Sequence, residues 1–197
     1  MTLDTPWHGV RWYSVQHRYR WEVKLAIVVA LVLVVGILVS RRRPRSSPRA
    51  VSGLPETWKV EDRWSVYQAA VDEKPIFTRL NEGLEPYVGH PEFRNQLGIA
   101  VRLKNPTGDG LPTSEESTAL NQIENEIVRR FLPGNECLLA AVVTARGTRE
   151  FVLYTSDPDA ARTKAAALAR ENPRHRIQFV VRDDPGWSQF RTLAPEG

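Results

Sequence analysis

The stretch CLLAAVVTARGTREFVLYT, residues 137–155, decides how this chain folds. Its first nine residues are mostly apolar, its last eight include Phe, Val, Leu and Tyr, and Arg146-Gly147 stands between them. β-Branched and aromatic residues suit a pleated, half-buried strand. A two-residue connection with a Gly free to take positive φ suits a tight hairpin turn. Residues 137–155 therefore read as an antiparallel hairpin. Its first strand is apolar on both faces, and an exposed edge of that kind invites pairing with another chain. Something must cover it, either the hairpin read at residues 63–81 or a second subunit.

Working outward, residues 113–132 read as a helix. Thr113 with Glu116 three residues on is a capping box, and Ala119, Leu120, Ile123, Ile127 and Phe131 recur on one side at helical spacing before Pro133-Gly134 ends the run. Asp157 and Pro158 open a second helix that reaches Asn172 and stops before Pro173. LGIAVRL (97–103) and HRIQFVVR (175–182) read as flanking strands, and DDPGWSQFRTL turns at Pro185-Gly186 to lay Trp187 and Phe190 on the core. Further upstream, RWSVYQAAV (63–71), a turn at 72–75 and IFTRLN (76–81) form a first hairpin. The order β-α-β-β-α-β is that of the split βαβ unit. The expectation is an α+β, ferredoxin-like antiparallel sheet with two helices on one face and an added N-terminal β-hairpin, preceded by a single transmembrane helix.

That last element rests on LAIVVALVLVVGILV, residues 25–39, which has no polar side chain. Twelve of its fifteen residues are Leu, Ile or Val, and on the insertion scale they sum to roughly −5 kcal/mol. Extended from Trp21 to Ser40, with Lys24 snorkelling, the segment reaches about 30 Å, the thickness of a hydrocarbon core. Trp21 and Lys24 on one side and Arg41, Arg42 and Arg43 on the other form its flanks. The arginine cluster after Ser40 favours a C-terminal domain on the cytoplasmic side. The expected organisation is a juxtamembrane segment (1–24), a transmembrane helix (25–40), a basic Pro/Ser linker (41–57) and a soluble domain (58–197), held at a bacterial cytoplasmic membrane. The partners expected are the lipid bilayer and a protein partner or a second copy.

Charge argues against nucleic acid. The 197 residues carry 27 Lys/Arg and 23 Asp/Glu, net +4. Residues 1–55 hold nine bases and two acids; residues 56–197 therefore hold 27 − 9 = 18 bases and 23 − 2 = 21 acids, net −3. A nucleic-acid domain carries its own basic face. One cysteine, Cys137, excludes an internal disulfide, and His8, His17, His90 and His175 show no metal-ligand spacing. No cofactor and no metal are expected.

Several segments together, PIFTRLNEGL (75–84), GIAVRL with GDGLPTSEE (108–116), REFVLYTSD (149–157) and HRIQFVVRDDPGWSQFRTLAP (175–195), resemble the bacterial family known as domain of unknown function 695. The resemblance spans about residues 60–195 and implies a small α+β domain without assigning an activity.

The chain lacks the G-x-S-x-G elbow, the P-loop and the G-x-G-x-x-G loop. One polar constellation remains: Asn81 and Glu82 after one strand, Arg149 and Glu150 starting another, Tyr154, His175 and Trp187. These residue types equally suit a turn, a solvated strand face and an aromatic core. Read functionally they form a shallow recognition site on a membrane-tethered interaction or regulatory domain. The alternative is an anchored hydrolase using Glu82, Glu150 or His175 as general acid or base.

Overall fold

The structure, a computed structural model, describes the backbone of residues 11–14 and 21–22 and residues 60–194 in full. The apolar run at 25–40 and the proposed boundaries at 24/25, 40/41 and 57/58 lie outside the described residues. Among the described residues no helix is long and apolar enough to cross a membrane.

Alternation of apolar and polar residues marks the strands other than the wholly apolar run at 137–145, and the burial of one face restricts their register. In chain order they are β1 (Arg11–Ser14), β2 (Trp21–Glu22), β3 (Trp64–Val71), β4 (Lys74–Asn81), β5 (Asn95–Arg102), β6 (Cys137–Ala145), β7 (Thr148–Thr155) and β8 (Arg176–Asp183). All pairings are antiparallel, in the spatial order β2-β1-β3-β4-β6-β7-β5-β8. Every residue of β6 is buried, and β4 pairs along its otherwise open edge. The first hairpin thus covers the edge that its sequence could not leave bare.

The first turn is tighter than 72–75. Asp72 and Glu73 alone form it, both at positive φ (50° and 62°), and Lys74 and Pro75 already pair within β4. Pro75 is tolerated because only β3 flanks it; pairing with β6 begins at Ile76. Arg146 and Gly147 form the expected second turn, at φ 49° and 75°. Trp21 also departs from the sequence reading. It lies in β2, opposite Trp12, so a helical span would have to begin after Glu22.

Helices α1 (Ser114–Phe131) and α2 (Pro158–Glu171) cover one face of the sheet. Leu120, Ile123, Ile127 and Phe131 of α1 and Ala161, Ala165 and Leu168 of α2 pack with Leu97, Ile99, Phe151 and Leu153. Thr113 caps α1, accepting from the Glu116 N–H. Glu116 does not return the bond to Thr113. Its carboxylate accepts from the Lys104 and Asn105 N–H groups at 2.7 and 2.9 Å and ties the 104–112 loop to the helix.

The second face has its own core, built by two elements the sequence reading did not include: a 3-10 turn, Glu82–Tyr87, and the short helix α3, Ser188–Leu193. Leu84, Trp187, Phe190 and Leu193 pack there against Leu80, Leu138, Val152 and Tyr154. The same buried cluster continues along β3, β4 and β6 through Val71, Ile76, Val143 and Ala145. Toward β5 and β8 the face carries polar side chains.

Candidate functional site

Alternation along β5, β7 and β8 sends Gln96, Glu150, Tyr154 and Arg182 to the face opposite the two long helices. Glu150 is 7% exposed. Burial raises its carboxyl pKa to about 7, opposed by the nearby Arg182 cation. Gly98 makes the room for it. A Cβ there would sit 3.3 Å from Glu150 Oε1 and 3.7 Å from Gln96 Nε2. The guanidinium of Arg182 donates through Nε to Gln96 Oε1. Gln96 Nε2 and Arg182 Nη2 are buried donors without a hydrogen-bond partner among the described residues. A carboxyl poised near neutrality beside two unspent donors is the arrangement that can accept or release a proton, or take a polar ligand group.

The neighbouring network is fully used. Tyr154 stacks on Trp187 with ring centroids 3.8 Å apart and planes parallel. Its hydroxyl donates to Asp184 Oδ2 at 2.8 Å and accepts from the Phe190 N–H. Asp184 also accepts from Ser188 N, Ser188 Oγ and Gln189 N. Burial would raise the Asp184 pKa, yet these bonds hold it below the usual range. Trp187 sits at φ 52° and donates from Nε1 to the Phe93 carbonyl. Tyr154 and Trp187 are both fully buried, so they hold the closing segment down and cannot meet a ligand on the surface.

The remaining residues of the sequence constellation are dispersed. Asn81 caps the 3-10 turn, accepting from Gly83 N, and reaches the Leu139 carbonyl. Glu82 accepts from the Tyr67 hydroxyl and lies 3.7 Å from Arg63. Burial, with Glu82 next, pushes that phenol up to about 12. Arg149 points to the helical face, bonded to Thr144 and Asn121 and 3.8 Å from Glu124. His175 precedes β8 at the opposite end from Glu82; burial and then Lys104 lower its pKa. Three strands, β6, β7 and β5, separate β4 from β8, so Glu82 and His175 are roughly 20 Å apart across the sheet even before its length is added. Glu82, Glu150 and His175 do not form one site.

Gln96, Arg182 and Asp184 went unmarked in the sequence. Asp183-Asp184 reads as a turn, and the two carboxylates do diverge, Asp183 outward to Arg94 at 2.9 Å and Asp184 inward to Tyr154. The available signal was period two: Gln96 and Arg182 share their face with Glu150. Among the described residues no group of three His, Cys, Asp or Glu side chains could hold a metal ion. Cys137 is buried, and burial pushes its thiol pKa up.

The fold and this site define an α+β domain with a six-strand antiparallel sheet, β3 to β8, extended by two short strands. The family described as "Family of unknown function (DUF695)" matches residues 62–193, and the chain belongs to it. No curated protein matches the chain.

Proposed function

We propose that the chain is a bilayer-tethered α+β domain, ferredoxin-like in its β-α-β-β-α-β core, that binds a protein partner by strand addition at the outer edge of β3. One observation carries the reading: this edge takes up backbone, with Arg11–Ser14 lying antiparallel along Tyr67–Ala70. Strand addition draws affinity from main-chain bonds and selectivity from alternate side chains. Val66, 49% exposed on the same strand, is apolar surface beyond the reach of the helices.

The tether is the apolar run 25–39 between Lys24 and Arg41–Arg43. A single span at 25–40 would place residues 11–14 and 64–71 on opposite sides of the bilayer. Insertion therefore excludes the β1–β3 pairing within one molecule and opens the β3 edge to a partner's strand. With the arginine cluster inside, the domain and its partner are cytoplasmic.

The test is a photo-crosslinking residue at position 66 of the full-length chain in cells, with position 128, another exposed valine, as control. Carbonate-resistant sedimentation with membranes and a discrete intermolecular adduct from 66 but not 128 are expected. Recovery in the soluble fraction without detergent, or crosslinking of 66 only to residues 11–14 of the same molecule, would refute the reading.

A second reading, an anchored hydrolase, is favoured by the Glu150 carboxyl near neutrality, where a general acid or base is most effective. Glu150 would then work with Gln96 and Arg182, without Glu82 or His175. Loss of a measured turnover in Glu150→Gln, with the adduct at 66 unchanged, would support it.

A further inference from the structure

At the end of the sheet remote from residue 60, four elements meet: the Asp72-Glu73 turn, the end of β5 with the 103–111 loop, the Arg146-Gly147 turn and the start of β8. Glycine makes the meeting possible. Gly110, at φ 78°, lies so close to the second turn that a Cβ would sit 2.9 Å from Arg146 Cα. Gly147 N donates to the Gly110 carbonyl, and Leu103 N to the Gly147 carbonyl, both at 2.8 Å. The zipped loops enclose a cleft of about 650 Å³.

Lys74, Arg102, Lys104 and Arg146 line this cleft against a single acid, Asp72, so its lining carries 4 − 1 = +3. The domain from residue 56 onward carries −3, so the accumulation is local. Arg146 pairs with Asp72 at 3.1 Å. Lys74, Arg102 and Lys104 are in none of the ion pairs formed among the described residues. Outside the lining, Arg176, opposite Arg102 in register, is a further exposed cation at the same end, and Glu73 and Asp109 are exposed acids beside the cleft. Thr107, on the lip, accepts from Leu111 N and keeps its hydroxyl hydrogen to donate. A Cβ at Gly108 would meet nothing within 4 Å, which leaves that lip open.

We infer that this cleft binds a phosphate group. Unpaired like charges gathered in one concavity repel one another until an anion joins them. A phosphate with its several oxygens and up to two charges meets a +3 lining better than a singly charged carboxylate does. Arg102 supplies the planar fork, Lys74 and Lys104 point charges, and Thr107 a neutral donor. The phosphate could belong to a soluble compound or to a phospholipid headgroup. The assignment does not depend on strand addition at β3: the cleft lies beyond the Asp72-Glu73 turn at the end of that hairpin and uses none of the residues Tyr67–Ala70.

The experiment titrates inorganic pyrophosphate by calorimetry into the full-length chain in nonionic detergent micelles at 0.15 M salt. Saturable one-to-one binding is expected, weakened at least tenfold in Arg102→Gln/Lys104→Gln and unchanged in Arg129→Gln/Arg170→Gln, which removes two cations elsewhere. Thermal unfolding of both variants should match the parent, since all four side chains are exposed. Repeating the titration in micelles containing one-fifth phosphatidic acid separates the sources. An unchanged pyrophosphate affinity assigns a soluble phosphate, and a tenfold fall that depends on Arg102 and Lys104 assigns the headgroup. Absence of saturable pyrophosphate binding, or equal weakening in both double variants, would overturn the assignment.

Discussion

Replacing Asp184 by Asn should uncouple the closing segment from the sheet. The carboxylate accepts four hydrogen bonds, from Tyr154 Oη and Gln189 N on Oδ2 and from Ser188 N and Ser188 Oγ on Oδ1. An amide has one oxygen, so in either orientation its NH2 faces one backbone N–H, whose bond is lost, and one hydroxyl, which must reverse to accept, while the remaining bonds lose the carboxylate's charge. The site is 8% exposed, and hydrogen bonds to a charged group contribute about 1.5–3 kcal/mol each, with part recovered by relaxation. The expected destabilisation is about 3 kcal/mol, or about 10–15 °C in Tm for a domain of this size. Equilibrium denaturation at pH 7 measures it. The pH dependence provides a second check. The folded pKa of Asp184 lies below its unfolded value, so its contribution is complete above about pH 4 and fades as pH falls through the folded value. The gap between parent and Asp184→Asn should therefore narrow below pH 4. A loss under about 1 kcal/mol at pH 7, or a gap that stays constant down to pH 2, would refute this account of how Trp187 and α3 are held.

Glu150→Gln should act in the opposite sense. With its folded pKa raised to about 7, ionisation opposes folding, so parental stability should fall between about pH 4.5 and 7 and the variant should gain on the order of 3 kcal/mol at pH 8; denaturation at pH 5 and pH 8 separates the two. Gly110→Ala places a Cβ 2.9 Å from Arg146 Cα at positive φ, which should cost about 2–3 kcal/mol and speed amide exchange at Leu103 and Gly147. Glu116→Ala removes the acceptor of the Lys104 and Asn105 N–H groups; about 2 kcal/mol of destabilisation, with exchange accelerated first in 104–111, is the expected readout by hydrogen-exchange mass spectrometry.

The candidate site was legible in part. Glu150 stands out in sequence as an acid at the head of an apolar strand, but its surroundings come from Gly98 on the adjacent β5 and Arg182 on β8, residues 52 and 32 positions distant. Trp187 lies on the core, as expected; Tyr154 and Trp187 also read as part of a recognition surface, which their full burial does not allow. Asp184 read as a turn residue because its partners, Tyr154 among them, become neighbours only when the segment folds back. The phosphate cleft left no local trace at all: Lys74, Arg102, Lys104 and Arg146 never form a run, and they converge because each lies where a strand begins or ends at one end of the sheet.

Local periodicity, caps and turns suffice for the elements themselves, since alternation, the 3.6-residue stripe of α1, Asp157-Pro158 and Arg146-Gly147 act within a few residues of chain. The apolar strand at 137–145 even dictated that a neighbour must cover its edge. Register between distant strands, the second core beneath α3, the raised carboxyl pKa of Glu150 and the basic cleft came from tertiary structure alone. The physical reason is that burial and the meeting of charges are properties of space, and space is assigned only when segments far apart in sequence are brought side by side.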